Sequence, residues 1–292
     1  MAKKNVRIDY YSYEEYLEKA LHGQGGKWTD NDSKRSSRHG SESWTGTRNW
    51  EDCVGLVENG WPEGTRQVAQ ILTRIKNSEE EIEKPQILWD VEGDMVDIGR
   101  YVSGEPECMM RWEPEKTSKR IARILFPISV SGGVSTELMR WRGACVLALI
   151  DKLEAEGVRA HVDICYASRA GEHKWLMIAN VKRPDEVLYV DRMAFHLAHP
   201  SSFRRVMFSL AENGPDELVA KHDMHGTCGG YGMPIQDVNP YLPKDAQYDL
   251  VVPGVHLYTV DQAVKEMEKM LGTICPDIER TSREWDTDAM VR

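Results

Sequence analysis

Residues 127–135 read Pro-Ile-Ser-Val-Ser-Gly-Gly-Val-Ser, and they bring the hydroxyls of Ser129, Ser131 and Ser135 to two glycines, Gly132 and Gly133. A loop of this composition between a strand and a helix suits an anionic ligand, because the first helical turn leaves N–H donors unpaired and the hydroxyls add more. No lysine stands where a nucleotide-hydrolysing loop needs one. The plainer alternative is a Ser/Gly turn that caps a core helix.

Two further clusters carry metal-ligating types. Asp90, Glu92 and Asp94 alternate as in a calcium loop, but Met95 holds the sixth position and Tyr101 the twelfth, where Gly and Glu are required. The ordinary reading is solvated carboxylates paired with Arg100 or Arg111. Asp97, Arg100 and Glu105 lie among glycines, where a loop displays its contacts, and are expected to meet a partner. His222, Asp223, His225 and Cys228 fall within seven residues, yet a closed zinc site draws a second ligand pair from elsewhere and none is evident. His222, His225 and Cys228 are therefore zinc candidates against a polar loop.

Other spacings have ordinary explanations. His161 and Cys165 share a strand face by parity, which is common in sheet packing. His196 and His199, three apart on a helix, match a metal spacing that partly exposed surface histidines also produce. Phe203-Arg204-Arg205 offers a local aromatic and basic contact for a single nucleic-acid strand. With a formal charge of −10, the chain would make only a small footprint on phosphate.

These residues need a scaffold, and the 292-residue chain, 41% hydrophobic, can build one. Six cysteines without CxxC spacing point to reduced, buried thiols. The start, MAKKNVRIDYY, lacks a secretory h-region, and apolar runs are too short to span a bilayer. A cytoplasmic protein with no membrane association is expected.

Ser12-Tyr-Glu-Glu15 has capping-box spacing, so a helix starts there and stops near Gly23. Residues 23–46 read as a mobile polar loop anchored by Trp28 and Trp44, and a second helix runs over 49–59 with Gly60 ending it. Pro62 opens a third, with Val68, Ile71, Leu72 and Ile75 on one stripe before the solvated Glu79–Glu81 run. Strands then alternate with helices: strand 121–130, helix 136–156, strands 158–167 and 175–182, helix within 191–211, strand 249–252 and helix 260–271. That alternation predicts an α/β fold, an open parallel or mixed sheet with helices on both faces. The expected organisation is a helical region over 1–84, a strand-and-turn insert over 85–118, an α/β domain over 119–275 and a polar tail over 276–292.

The stretch PISVSGGVSTELMRWRGACVLALIDKLEAEGVRAHVDICYAS resembles the first strand, loop, helix and second strand of a von Willebrand factor A-type domain. That family holds a divalent cation with a D-x-S-x-S loop, whose slots fall here on Pro127, Ser129 and Ser131. The carboxylate is missing, and hard cations are held chiefly by anionic oxygens, so neither metal nor cofactor is expected. The segments SYEEYLEKA, TGTRNWEDCVGLVENGWPEG, WDVEGDMVDIGRYVSGEPECMM and RGACVLALIDKLEAEG together are similar to an uncharacterised family of tailed-bacteriophage proteins. That resemblance implies a viral factor in the host cytoplasm. The expected function is a phage accessory binding module that meets a protein partner through the Ser129–Ser135 loop and the 90–106 segment. A single-stranded nucleic-acid-binding factor assisting transcription or replication and a metal-dependent hydrolase are the alternatives.

Overall fold

The computed structural model describes residues 5–25, 32–34, 42–66, 69, 87–93, 95–112, 121–224 and 230–254. Strand β1 (Val6–Tyr11) precedes helix α1 (Tyr13–Leu17), which continues as a π-helical turn over Glu18–His22. The capping box forms: Ser12 Oγ accepts from the N–H of Glu15, and the Glu15 carboxylate accepts from the N–H of Ser12. A short helix α2 (Glu42–Thr45) and helix α3 (Trp50–Asn59) follow. Gly60 ends α3 at φ 78°, and a Cβ there would sit 2.6 Å from that of Asp191, so glycine answers both the left-handed backbone and a close approach. The expected Val68–Ile75 stripe, the Glu79–Glu81 run and Trp28 lie outside the described residues.

Residues 87–93 and 95–112 fold into the short strands and turns expected of them. Strands β2 (Ile87–Asp90), β3 (Met95–Val96) and β4 (Met109–Trp112) pair antiparallel in the order β2-β4-β3. A turn of helix α4 (Ile98–Val102), capped by Asp97, replaces the loop expected there.

The main sheet is built from β1, β5 (Ile121–Pro127), β6 (Arg159–Ala170), β7 (His173–Lys182), β8 (Met233–Pro234) and β9 (Leu250–Val251). Its order is β1-β7-β6-β5-β9, with β8 also on β6. The β1–β7, β5–β6 and β5–β9 pairs are parallel, while β6–β7 and β6–β8 are antiparallel. The fold is therefore a mixed α/β sandwich, and β1 places the N-terminal region in the same sheet as the expected 119–275 domain.

One sheet face, with Ile124, Phe126, Val162, Ile164, Tyr166 and Met177, packs under the helices. These are α5 (Thr136–Ala155), α6 (Val190–Ala198), a π-helical turn over Ser202–Met207, α7 (Phe208–Glu212) and α8 (Asp216–Lys221). The opposite face, with Leu125, Cys165, Ala167, Leu176 and Ile178, is covered by Ile235, Val238 and neighbouring irregular chain. The helix expected over 260–271 lies outside the described residues. No described helix is long and apolar enough to cross a membrane.

Candidate functional site

Strand β6 outruns its neighbour. Its pairing with β5 ends at Pro127↔Cys165, and β8 takes over the same edge at Ser168↔Pro234 and Arg169↔Met233. Between these partners the departing loop substitutes for a strand: the N–H of Ile128 donates to the carbonyl of Cys165 (2.9 Å), and the N–H of Ala167 donates to Ser129 Oγ (2.8 Å). The fork leaves a cavity of about 390 Å³. Open α/β sheets place ligands at such strand ends, and this size suits a small ligand.

Ser129, Ser131 and Gly132 form one wall, so the sequence-expected loop does meet a cavity. Ser135 and Gly133 do not line it. Ser135 caps α5, its Oγ accepting from the N–H of Leu138 (3.1 Å), and Gly133 is exposed with open space around it. The plainer capping reading thus applies to Ser135, while Ser129 and Ser131 belong to the cavity.

The remaining walls come from distant elements. Trp44, Tyr166, Phe203, Phe208 and Tyr231 contribute rings. Phe208 and Tyr231 stack face to face at 3.8 Å, Phe203 meets Phe208 edge-on at 4.8 Å, and Tyr166 stands 6.3 Å from Phe203. The Trp44 indole N–H donates to the Gly132 carbonyl (3.0 Å), which ties the 42–45 helix to the loop. Tyr231 adopts φ 72°, an uncommon backbone for a non-glycine residue. It is held by N–H donation to the His222 carbonyl (2.9 Å), by its stack, and by its hydroxyl on Glu212. Tyr166 donates to the Tyr231 carbonyl (2.6 Å), and burial pushes the Tyr166 phenol pKa up, so it is a neutral donor.

The π-helical turn supplies Phe203 and Arg204, and such turns recur at functional sites. Here the surface nucleic-acid contact expected of Phe203, Arg204 and Arg205 is corrected. All three are buried, because the apolar face of this turn lies on the sheet. Arg205 donates to Thr47 Oγ1 (2.9 Å) and the Ser33 carbonyl (3.0 Å), which orders the chain before the cavity. Arg204 donates to the carbonyls of Trp44 and Val134, both at 2.6 Å, and its guanidinium lies 4.5 Å from the Trp44 ring centroid. Burial lowers its pKa to about 10, and it stays charged at neutral pH.

At the position of the missing acid, the Pro127 carbonyl accepts from Arg142 Nη1 (2.8 Å). Arg142 is buried, with its other terminal nitrogen on the Pro253 carbonyl (2.7 Å). A fixed cation beside the strand end opposes a second one, while Ser129 Oγ already accepts from Ala167. Among the described residues no group of three or more His, Cys, Asp or Glu is arranged to hold a metal ion.

Histidines expected at a surface prove to be core. His196 and His199 are buried against Tyr13, Tyr16, Phe195 and Trp61, and burial holds both pKa values down to about 3. His222 is buried beside Trp175, its Nδ1 2.9 Å from the Leu218 carbonyl, whereas His225 and Cys228 lie outside the described residues. Cys165 is buried with its thiol on the Tyr166 carbonyl, and His161 turns to Asp163 (3.2 Å).

Asp97, Arg100 and Glu105 do come together, on one another. Asp97 Oδ1 accepts from the N–H of Arg100, and Arg100 covers the Trp89 ring at 4.3 Å and pairs with Glu105 at 3.4 Å. What they leave outward is apolar: Ile98, Tyr101 and Val102 are 74%, 67% and 79% exposed. Sequence reading missed these three, and of the aromatic walls it singled out only Trp44, as a loop anchor, and Phe203.

Fold and cavity together define a mixed α/β protein with a ligand-sized hollow at the carboxyl end of its central parallel strand. The chain belongs to the family described as Domain of unknown function (DUF7192), which it matches over residues 1–275. No curated protein and no solved structure matches it.

Proposed function

We propose that the protein is a binding protein that receives a flat apolar or aromatic group in the cavity between the Ser129–Gly132 loop and the Gly230–Pro234 segment. The observation that carries this reading is the wall itself: five aromatic rings, four of them each meeting Phe208, around about 390 Å³, with hydroxyls at one side. Rings set at fixed angles give a planar guest both area and orientation. The order β5–loop–α5–β6 supports an A-type domain whose loop has exchanged an ion for a larger guest, and Arg142 on the Pro127 carbonyl favours that exchange. Under the phage resemblance, the guest belongs to a phage or host molecule met in the host cytoplasm.

A neutral probe, 1-naphthol, tests the reading. A Cβ at Gly132 or Gly133 meets nothing within 4 Å, so both accept tryptophan without a clash at the first atom. Saturable binding to the wild type, lost in Gly132→Trp at the cavity and kept in Gly133→Trp beside it, is expected. Equal binding in both variants would contradict it.

A second reading rests on the exposed Ile98, Tyr101 and Val102. Along the chain Asp90 and Glu92 precede them and Glu105 and Glu107 follow, a composition that fits a basic amphipathic segment of a protein partner. On that reading a Lys/Leu amphipathic peptide binds in a salt-dependent way and Tyr101→Ser with Val102→Ser removes the binding. A double variant with unchanged affinity would sink it.

A further inference from the structure

Charge is unevenly placed at the cavity: the buried Glu212 carboxylate lies behind the wall, taken up by Ser33 and Tyr231, and only a cation is on the lining itself. Arg204 is the one side chain charged at neutral pH among the described residues that line it, in a protein whose net charge is −10. It is 1% exposed, and no described carboxylate lies within 4 Å of it. A guanidinium has five N–H donors; the two hydrogen bonds to the Trp44 and Val134 carbonyls leave others over, and Nε has no partner. On the same lining, Ser168 Oγ is buried without a hydrogen bond.

Two of the other three buried cations supply the comparison, the third, Arg205, lying off the cavity lining. Lys182, fully enclosed, has Glu154 Oε1 at 2.6 Å. Arg142 also has no carboxylate beside it among the described residues, but the hollow there is only about 10 Å³, too small for any guest. Arg204 alone of the four stands on a cavity that admits an organic molecule. A buried charge is ordinarily paired, and here room for the pairing group lies in the cavity.

We infer that the cavity selects a planar aromatic anion, whose carboxylate or phosphate accepts from spare N–H groups of Arg204 and from the Ser131 and Ser168 hydroxyls while its ring meets Tyr231, Phe208 and Trp44. The inference rests on the binding reading above and adds the sign of the ligand's charge. Charge-assisted hydrogen bonds in a dry site discriminate strongly against a neutral isostere, and a guanidinium matches the geometry of both oxyanions.

Calorimetry of the full chain with 1-naphthol, 1-naphthoate, 1-naphthyl phosphate and inorganic phosphate tests it. At least tenfold tighter binding of one naphthyl anion than of naphthol is expected; a preference for the naphthoate assigns the site to carboxylates, and a preference for the naphthyl phosphate assigns it to phosphates. Arg204→Gln should bring that ratio close to one, whatever naphthol affinity the variant retains. Because Arg204 also holds two carbonyls, the wild-type ratio decides the matter if that variant does not fold. Naphthol binding as tightly as both naphthyl anions would overturn the anion inference and leave the cavity reading standing. Inorganic phosphate binding as tightly as the naphthyl anions would overturn the aromatic part. No saturable binding by any of the four would overturn both.

Discussion

Buried polar residues account for much of what this fold asks of single side chains. Lys182 donates to Glu154 and to the carbonyls of Ala160, Arg183 and Glu186, so it closes the end of β7 on the end of α5. Lys182→Met leaves Glu154 with Arg159 and the Ala160 N–H but strips three carbonyls, and urea unfolding should show a loss of about 3 kcal/mol. A change under about 0.5 kcal/mol, the size of a surface effect, would refute that role. The buried histidines make a pH prediction. His196 and His199 resist protonation down to about pH 3 in the fold, against an ordinary value of 6.5, so the unfolded chain binds the extra protons between those limits. Stability is then full above about pH 6.5 and falls as pH drops, by at most about 1.4 kcal/mol per pH unit for each ring. Burial lowers His222 as well, in the same direction. Equilibrium unfolding at pH 7, 6.25 and 5.5 isolates the rings, since Asp163 and Glu154, held below their ordinary values of 3.8 and 4.5, lose their contribution only as pH falls toward those values. A flat profile across the three pH values would contradict the burial.

Elements that carry strong periodicity were legible from residues alone. The helix from Ser135 and the strands on either side fall within a few residues of their expected limits, because apolar spacing and a capping serine act locally. Strand β1 was not legible: Val6–Tyr11 is short, adjoins a strong helix start, and is fixed by pairing with β7 168 residues further on, as at Ile8↔Leu176. The π-helical turn at 202–207 has no sequence signal either, and it is what turns Arg204 inward. Two substitutions test the elements. Ser135→Ala should cost about 1 kcal/mol through the lost cap on Leu138 yet leave naphthoate affinity unaltered, since Ser135 is off the cavity; chemical denaturation and calorimetry on one sample separate the two. Gly143→Ala tests the crossing of α5 and α6, where a Cβ would stand 2.1 Å from the Leu197 carbonyl oxygen. Overpacking of about 1–3 kcal/mol is expected, read as a lower thermal midpoint.

At the scale of the whole molecule, the site is a product of topology. The loop was legible in the sequence, as the one place where a strand, hydroxyls, glycines and a helix start coincide. The rest of the cavity was not, because Trp44, Tyr166, Phe203 and Tyr231 meet only when β6 outruns β5 and the 230–234 segment returns to its free edge. No local spacing encodes that meeting. Glu212 joins the two ends of it, taking Ser33 from one side and the Tyr231 hydroxyl from the other. The measurement that bears most directly on this account is amide chemical-shift mapping of the full chain during titration with 1-naphthoate. The predicted result is a set of shifts confined to 129–132, 166–168, 203–208 and 230–234. Shifts centred on 95–102, with the strand-end residues unmoved, would contradict it.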